Sequence, residues 1–240
     1  MVTTIDGSNT LFSKEYNQHY HNVNDGAINE ALSKHVIPAL KFHKGKSHLR
    51  ILDICFGLGY NTFSTLYYIL EHNLSHSVEI FTPELDPNLI ESLKKFTYPK
   101  EFVILQPIIK ELLTNKTYKS DRFCIHLYIG NARDYVKTLK NIDIVYQDAF
   151  SSEVNQELWT VQYFTDIFNA CSQNCILTTY SVATPVRLSL YKAGFFIYEY
   201  IPTKRKITLA FKASSSSMGE YIDMELKQQR NKKAKALLDE

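Results

Sequence analysis

The chain has 240 residues, enough for one large domain with a substantial core. At 45% hydrophobic and 22% charged it has ordinary soluble composition; no apolar run approaches a membrane span, and Met1-Val-Thr-Thr-Ile-Asp6 is no signal peptide, so a cytoplasmic protein without a membrane partner is expected. With 27 basic and 25 acidic residues the net charge is only +2, so a nucleic-acid partner would need a local basic patch.

Residues 1–46 form a polar, aromatic-bearing lead-in. It holds Asp6-Gly-Ser8, then Tyr16, Tyr20 and His21, then a predicted helix over Ala27–Leu40 with Pro38 near its end. The apolar run 49–54 predicts a buried strand. Gly57 and Gly59 follow it, and then a helix over 61–73. Strand, glycine turn and helix form the nucleotide-binding corner of a doubly wound α/β fold. A P-loop is excluded because no Gly-Lys-Ser/Thr follows, and Thr62 stands where a dinucleotide fingerprint has its third glycine.

Further strands are predicted over Val78–Glu84, Phe123–Ile129, Ile142–Gln147 and Cys175–Tyr180. Helical segments are predicted over 88–116, after Gly130-Asn131-Ala132, over 159–172, and over 183–193 with Gly194 as its cap. Phe195–Ile201 and Ile207–Lys212 read as a closing antiparallel hairpin. Ser214–Ser217 reads as a linker, and 219–238 as a helix carrying Lys227, Arg230, Lys232, Lys233 and Lys235. The expected architecture is Rossmann-like: a seven-stranded, mostly parallel sheet with a terminal antiparallel hairpin. The expected divisions are a lead-in or lid at 1–46, the main domain at 47–213, and a linker with a basic helix at 214–240.

Ligands of open α/β sheets sit beyond the carboxyl ends of the strands, where this chain places suitable groups in order. Asp53 lies at the end of the first strand of that sheet, and Phe56, Gly57, Gly59 and Asn61 follow it. Glu84 ends the second, placed to accept from two ribose hydroxyls. Asn131 and Ala132 follow the third, with the Asn131 amide available to adenine. Asp148 follows the fourth, at the mouth of the site. An acid before G-x-G is typical of enzymes that bind S-adenosylmethionine (SAM). Cys171 and Cys175 lack a second pair or nearby His to complete a tetrahedral site, so no metal is expected.

Several of these motifs, taken together, resemble the methyltransferase domain of the MnmC-type tRNA 5-methylaminomethyl-2-thiouridine biosynthesis family. The matching segments are Gly26-Ala-Ile-Asn-Glu30, Asp53-Ile-Cys-Phe-Gly-Leu-Gly-Tyr-Asn61, Asp148-Ala-Phe150, Asn155-Gln-Glu-Leu-Trp-Thr160 and Lys204-Arg-Lys-Ile-Thr-Leu-Ala210. The resemblance covers about residues 5–212. Asp53 stands where the family has glutamate, Cys55 where it has its first glycine, and Asn131 where it has aspartate. The family's flavin oxidase half has no counterpart before Glu240. The resemblance implies a class I SAM-dependent methyltransferase acting on the exocyclic amine of 5-aminomethyl-(2-thio)uridine at the tRNA wobble position.

Under that resemblance Asp148 is the candidate catalyst. Phe150, Asn155, Trp159 and Tyr180 are candidate base contacts, and Lys204, Arg205 and Lys206 candidate contacts to anticodon stem-loop phosphates. Each residue also has a structural reading. Asp148 is also placed to cap the next helix, Trp159 to fill the core, Tyr16, Tyr20 and His21 to pack together, and Lys204–Lys206 to be a solvated turn. Glu30 is placed either to hold a helix backbone or to meet the SAM amino group. Two rival functions share the fold: a spermidine-synthase-like aminopropyltransferase, whose turn carries an acidic G-G-G-D-G pattern unlike Gly57-Leu-Gly-Tyr-Asn61, and a non-catalytic tRNA- or protein-binding protein.

Overall fold

A computed structural model describes residues 1–214 and 218–240; of the predicted Ser214–Ser217 linker, 215–217 therefore lie outside the described residues. The lead-in carries two small antiparallel ribbons. β1 (Val2–Thr3) pairs with β2 (Asn9–Thr10), and β3 (Phe12–Ser13) with β4 (Gln18–His19). A continuous helix follows in three parts: α1 (Ala27–Glu30), a π-helical segment Ala31–Val36, and α2 (Ile37–Phe42). Pro38 lies near the end of this helix, as expected, in the first turn of α2. It lacks an amide hydrogen, and the wider π turn before it accommodates the missing hydrogen bond.

The main sheet is built from β5 (His48–Ile54), β6 (Ser77–Glu84), β7 (Thr117–Lys119), β8 (Phe123–Ile129), β9 (Ile142–Gln147), β10 (Cys171–Thr179), β11 (Phe196–Tyr200), β12 (Ile207–Phe211) and β13 (Glu220–Tyr221). Its order is β13-β11-β12-β10-β9-β5-β6-β8-β7. The central five strands, from β10 to β8, are parallel, and β11 and β12 form the antiparallel hairpin. The predicted α/β class and the seven long strands are present. The short edge strands β7 and β13 raise the strand total to nine.

The chain winds from β5 outward through β6 to β8, then returns to place β9 on the other side of β5. The switch point therefore lies between β5 and β9, where an open α/β sheet leaves a crevice. Side chains alternate across the strands. Leu49 and Ile51 join one core with α3 (Tyr60–Glu71), while Leu52 and Ile54 join the other with α6 (Ala132–Thr138) and α7 (Val161–Ala170). The insertion predicted over 88–116 is α4 (Pro87–Leu93), a 3-10 segment Lys100–Leu105 and α5 (Gln106–Asn115). α8 (Thr184–Lys192) precedes the hairpin.

The predicted helix over 219–238 is corrected. Only α9 (Met224–Arg230) is helical, capped by the Asp223 carboxylate accepting from the Leu226 N–H. Beyond it the chain turns back. Val161 N–H donates to Leu237 O, Asp239 pairs with Arg133, and Ala234, Ala236 and Leu237 pack on the second core.

Candidate active site

A cleft of about 1130 Å³ opens at the switch point, floored by the strand ends and roofed by the lead-in. Glu84 ends β6. Its Oε2 accepts the Gly57 N–H at 2.9 Å and its Oε1 the Asp86 N–H at 3.0 Å, so the carboxylate is fixed while further lone pairs face the cleft. Burial pushes its carboxyl up, against these backbone donors. Asn131 is the N-cap of α6: its Oδ1 accepts from Arg133 N–H, which leaves the side-chain NH₂ as its donor. Ala132 follows it on the cleft wall.

Asp53 and Gly59 do not line the cleft. The Asp53 carboxyl is wholly buried and accepts from Thr62 Oγ1 at 2.8 Å and Asn61 Nδ2 at 3.3 Å. It acts through α3, holding Asn61 in place. Gly59 is left-handed at φ 80°, and a Cβ there would lie 2.5 Å from the Phe63 ring and 2.7 Å from Phe56. Its missing side chain thus serves packing inside the protein rather than approach of a ligand, a correction to the expected cofactor contact. Phe56 reaches the cleft edge, but its ring is buried edge-on against Phe63. Cys55 adopts φ 64°, a left-handed conformation that costs a side chain about 1–2 kcal/mol, which explains glycine as the alternative at this turn.

Asp148 sits at the centre of the floor. Asn61 Nδ2 donates to its Oδ2 at 2.9 Å, and His35 Nε2 lies 3.4 Å from its Oδ1. It caps no helix, since α7 takes Thr160 as its N-cap. Its side chain is 24% exposed, whereas His35 is 1% exposed. Burial works against the Asp148 charge, but His35 and Asn61 outweigh it and hold the carboxyl below its ordinary range. At Asp53 the balance is reversed: burial, aided by the Asp148 charge, pushes it up to about 8. Two carboxyls joined through one asparagine are thus driven apart. Asp53 is driven toward its protonated form and Asp148 toward its ionised form, so the cleft floor presents a single negative charge at Asp148.

Tyr16, Gln18, Tyr20 and His21 of the lead-in form the roof, and Glu30 and His35 of the long helix stand behind it. Tyr16 stacks on Phe150 with centroids 4.4 Å apart, Tyr20 lies 5.1 Å from the same ring, and Gln18 Nε2 donates to Ser151 Oγ at 2.9 Å. One face of Phe150, an expected base contact, is therefore taken by Tyr16. His21 packs edge-on to Tyr60, and burial lowers its pKa to about 4, so it is neutral at physiological pH. Glu30 Oε2 accepts the Asn22 N–H at 2.8 Å and also pairs with Lys34, so its place is in holding the lead-in. His35 projects from the π segment, and its Nδ1 is 2.8 Å from Thr178 Oγ1 of β10. Its only sequence signal was a histidine on the buried face of a predicted helix, which by itself points to no function.

Among the remaining expected contacts, Trp159 is corrected. It is 0% exposed, and its indole N–H donates to Phe150 O at 2.8 Å, so it anchors the Phe150 loop from within the core. Tyr180 lines the cleft, with its hydroxyl donating to Ala149 O. Asn155 also lines it, and its buried Oδ1 has no hydrogen-bond partner, like that of Asn61. Lys204, Arg205 and Lys206 are exposed on the β11–β12 turn. Arg205 reaches the cleft rim and pairs with Asp25 at 3.1 Å, while Lys206 pairs with Glu199 at 2.7 Å. No helix among the described residues is long and apolar enough to cross a membrane.

Acceptors in the cleft are Glu84, Asp148 and the orphaned amide oxygens of Asn61 and Asn155, beside the ring nitrogens of His21 and His35 that lack a hydrogen bond. The cleft fits a ligand that presents hydroxyls, N–H groups and positive charge, which are the features of SAM. Comparison with known proteins agrees. A family model described as S-adenosyl-L-methionine-dependent methyltransferase matches residues 99–213. An uncharacterized protein of Methanocaldococcus jannaschii is 33% identical over 219 residues, covering 88% of this chain and 59% of that protein. The tRNA 5-methylaminomethyl-2-thiouridine biosynthesis bifunctional protein MnmC of an Azoarcus species is 28% identical over 204 residues, which are 78% of this chain and 31% of that protein. The chain thus spans less than two thirds of these relatives. The crystal structure of MnmC2 from Aquifex aeolicus matches with a TM-score of 0.82 at 30% identity, over 100% of this chain and 78% of that one. With the strand order, the cleft and these matches in agreement, the chain belongs to the MnmC-type family of methyltransferases and takes S-adenosylmethionine as its cofactor.

Proposed function

We propose that the protein methylates the primary amine of 5-aminomethyl-(2-thio)uridine at the wobble position of tRNA, giving the 5-methylaminomethyl form. The observation that carries this reading is the ionised Asp148 at the floor of the cleft, steadied by Asn61 and His35 and flanked by the Phe150 and Tyr180 rings. The names of the MnmC relatives support the substrate.

SAM, when bound, supplies an electrophilic methyl group on a sulfonium. Glu84 would hold the ribose hydroxyls, the Asn131 NH₂ would meet adenine, Ala132 would border the ring, and the orphaned oxygens of Asn61 and Asn155 would receive N–H groups. Asp148 would accept an N–H of the incoming amine and turn its lone pair toward the methyl, and the proton released as the N–C bond forms and the C–S bond breaks would leave to solvent. Alignment of the reactants contributes on the order of 7–11 kcal/mol to such a displacement. Tyr180 and Phe150 flank the splayed-out base, with Tyr16 yielding its place on Phe150. Lys204, Arg205 and Lys206 meet anticodon stem-loop phosphates. Residues 1–46 serve as the lid of a methyltransferase domain at 47–213, with 214–240 as an extension, and the reaction runs in the cytoplasm, where four free cysteines are at home.

The test offers the protein and labelled SAM to two tRNA pools, one bearing 5-aminomethyl-2-thiouridine and one bearing its carboxymethylaminomethyl form. Label is expected in the first pool alone. Label only in the second, or equally in unmodified tRNA, would overturn the assignment.

A further inference from the structure

On the sheet face opposite α3, at the end remote from the cleft, three ligand-type side chains of two strands converge. Glu79 of β6 and Cys124 of β8 are cross-strand partners, and His126 follows Cys124 on the same face of β8. His126 Nε2 is 3.1 Å from Glu79 Oε1 and 3.3 Å from Cys124 Sγ, and all three atoms lie within 4.8 Å of one another. One ring nitrogen carries at most one hydrogen, so it cannot donate to both neighbours at once. A metal ion would take a lone pair from each. Zinc–nitrogen, zinc–oxygen and zinc–sulfur bond lengths at tetrahedral angles imply ligand separations of roughly 3.4–3.6 Å, a few tenths beyond those observed.

We propose that Glu79, Cys124 and His126 bind a Zn²⁺ ion, with its fourth position open to solvent. The donor set selects the metal class: thiolate with imidazole favours zinc over magnesium or calcium, which take oxygen ligands. All three side chains are partly exposed, so an ion has access. Arg50 pairs with the other Glu79 oxygen, Oε2, and lies 4.6 Å over the Phe81 ring, so it orients the carboxylate and leaves Oε1 to the metal. Its positive charge lowers the affinity of the site without occupying it. Binding releases the Cys124 thiol proton to solvent. Glu79 and the cofactor-facing Glu84 are five residues apart on one strand, about 16 Å. The ion therefore ties β6 to β8 and takes no part in methyl transfer.

Cobalt titration of the metal-free full chain tests the site. A thiolate-to-cobalt absorption band is expected at one equivalent, bleached by added zinc, absent in Cys124→Ser, retained in Cys171→Ser, and needing about tenfold more cobalt or beyond in His126→Gln. SAM affinity, measured in parallel, reports folding and should be equal in all four proteins. Should Cys124→Ser lose SAM binding through misfolding, the His126→Gln titration decides. No band in the native chain, a band that survives in folded Cys124→Ser, or an unchanged titration in His126→Gln would each overturn the proposal.

Discussion

The floor of the cleft rides on the carboxyl ends of parallel strands, whereas its roof comes from residues 1–26, whose short ribbons join the main sheet nowhere. Floor groups are fixed by backbone: Glu84 by the Gly57 and Asp86 amides, Asn131 by a helix start. Roof groups are fixed by knots of small polar side chains. Asp6 accepts from Thr4 and Ser8 and also from the Asn29 N–H at the start of the long helix, while Tyr60 holds Asn9. At Gly26, left-handed at φ 85°, a Cβ would fall 2.2 Å from that Asp6 carboxyl group, so the knot requires glycine. The floor is thus set by the sheet itself, whereas the roof is held by side-chain contacts that individual substitutions can remove. His35 belongs to the sequence of the lead-in but to the chemistry of the floor.

Substitutions in the floor and the roof should differ accordingly in effect. The largest effect is expected at the floor: Asp148→Asn should lower the turnover number about 100- to 10,000-fold with SAM affinity little changed, measured by single-turnover kinetics and calorimetry. Near-native turnover would return Asp148 to a packing role. Next, Gly59→Val should destabilise the fold by about 2–5 kcal/mol in urea titration, because its side chain meets Phe63 and Phe56 in a left-handed conformation. A stable Gly59→Val protein that fails only to bind SAM would restore the direct cofactor role.

His35→Gln joins the two halves. It should lower activity about tenfold and move the acidic limb of the kcat/KM profile to higher pH. The sign follows from Asp148, whose pKa burial raises and His35 lowers; without His35 the carboxylate takes up its proton at a higher pH. An unmoved limb would reduce His35 to packing. The smallest effect is expected from replacing Lys204, Arg205 and Lys206 by alanine. Each lost phosphate contact removes about 0.9 from the log–log salt slope of tRNA binding on duplex and less on single strands. Arg205 and Lys206 already pair with Asp25 and Glu199, so the change should fall short of three full contacts. An unchanged slope would place the RNA elsewhere, with Lys232, Lys233 and Lys235 the next surface to vary.

Strand positions, the glycine corner and the order of acids at the strand ends were legible in the sequence because they depend on local rules: apolar runs, turn residues and the residue that ends each strand. The roles of individual groups were less so. Trp159 and Phe150 both read as aromatics beside the site, and only packing shows that one is sealed in the core while the other faces the cleft under Tyr16. Gly59 read as a cofactor glycine because sequence shows that space is needed but not what fills it. The tail read as a longer helix because its return to Val161 and Arg133 spans more than seventy residues of chain. Local chemistry thus determined the fold class and the candidate floor of the site. Tertiary structure alone decided which of two neighbouring carboxyls is ionised, since that depends on burial and on His35, brought to Asp148 by a helix more than a hundred residues earlier in the chain.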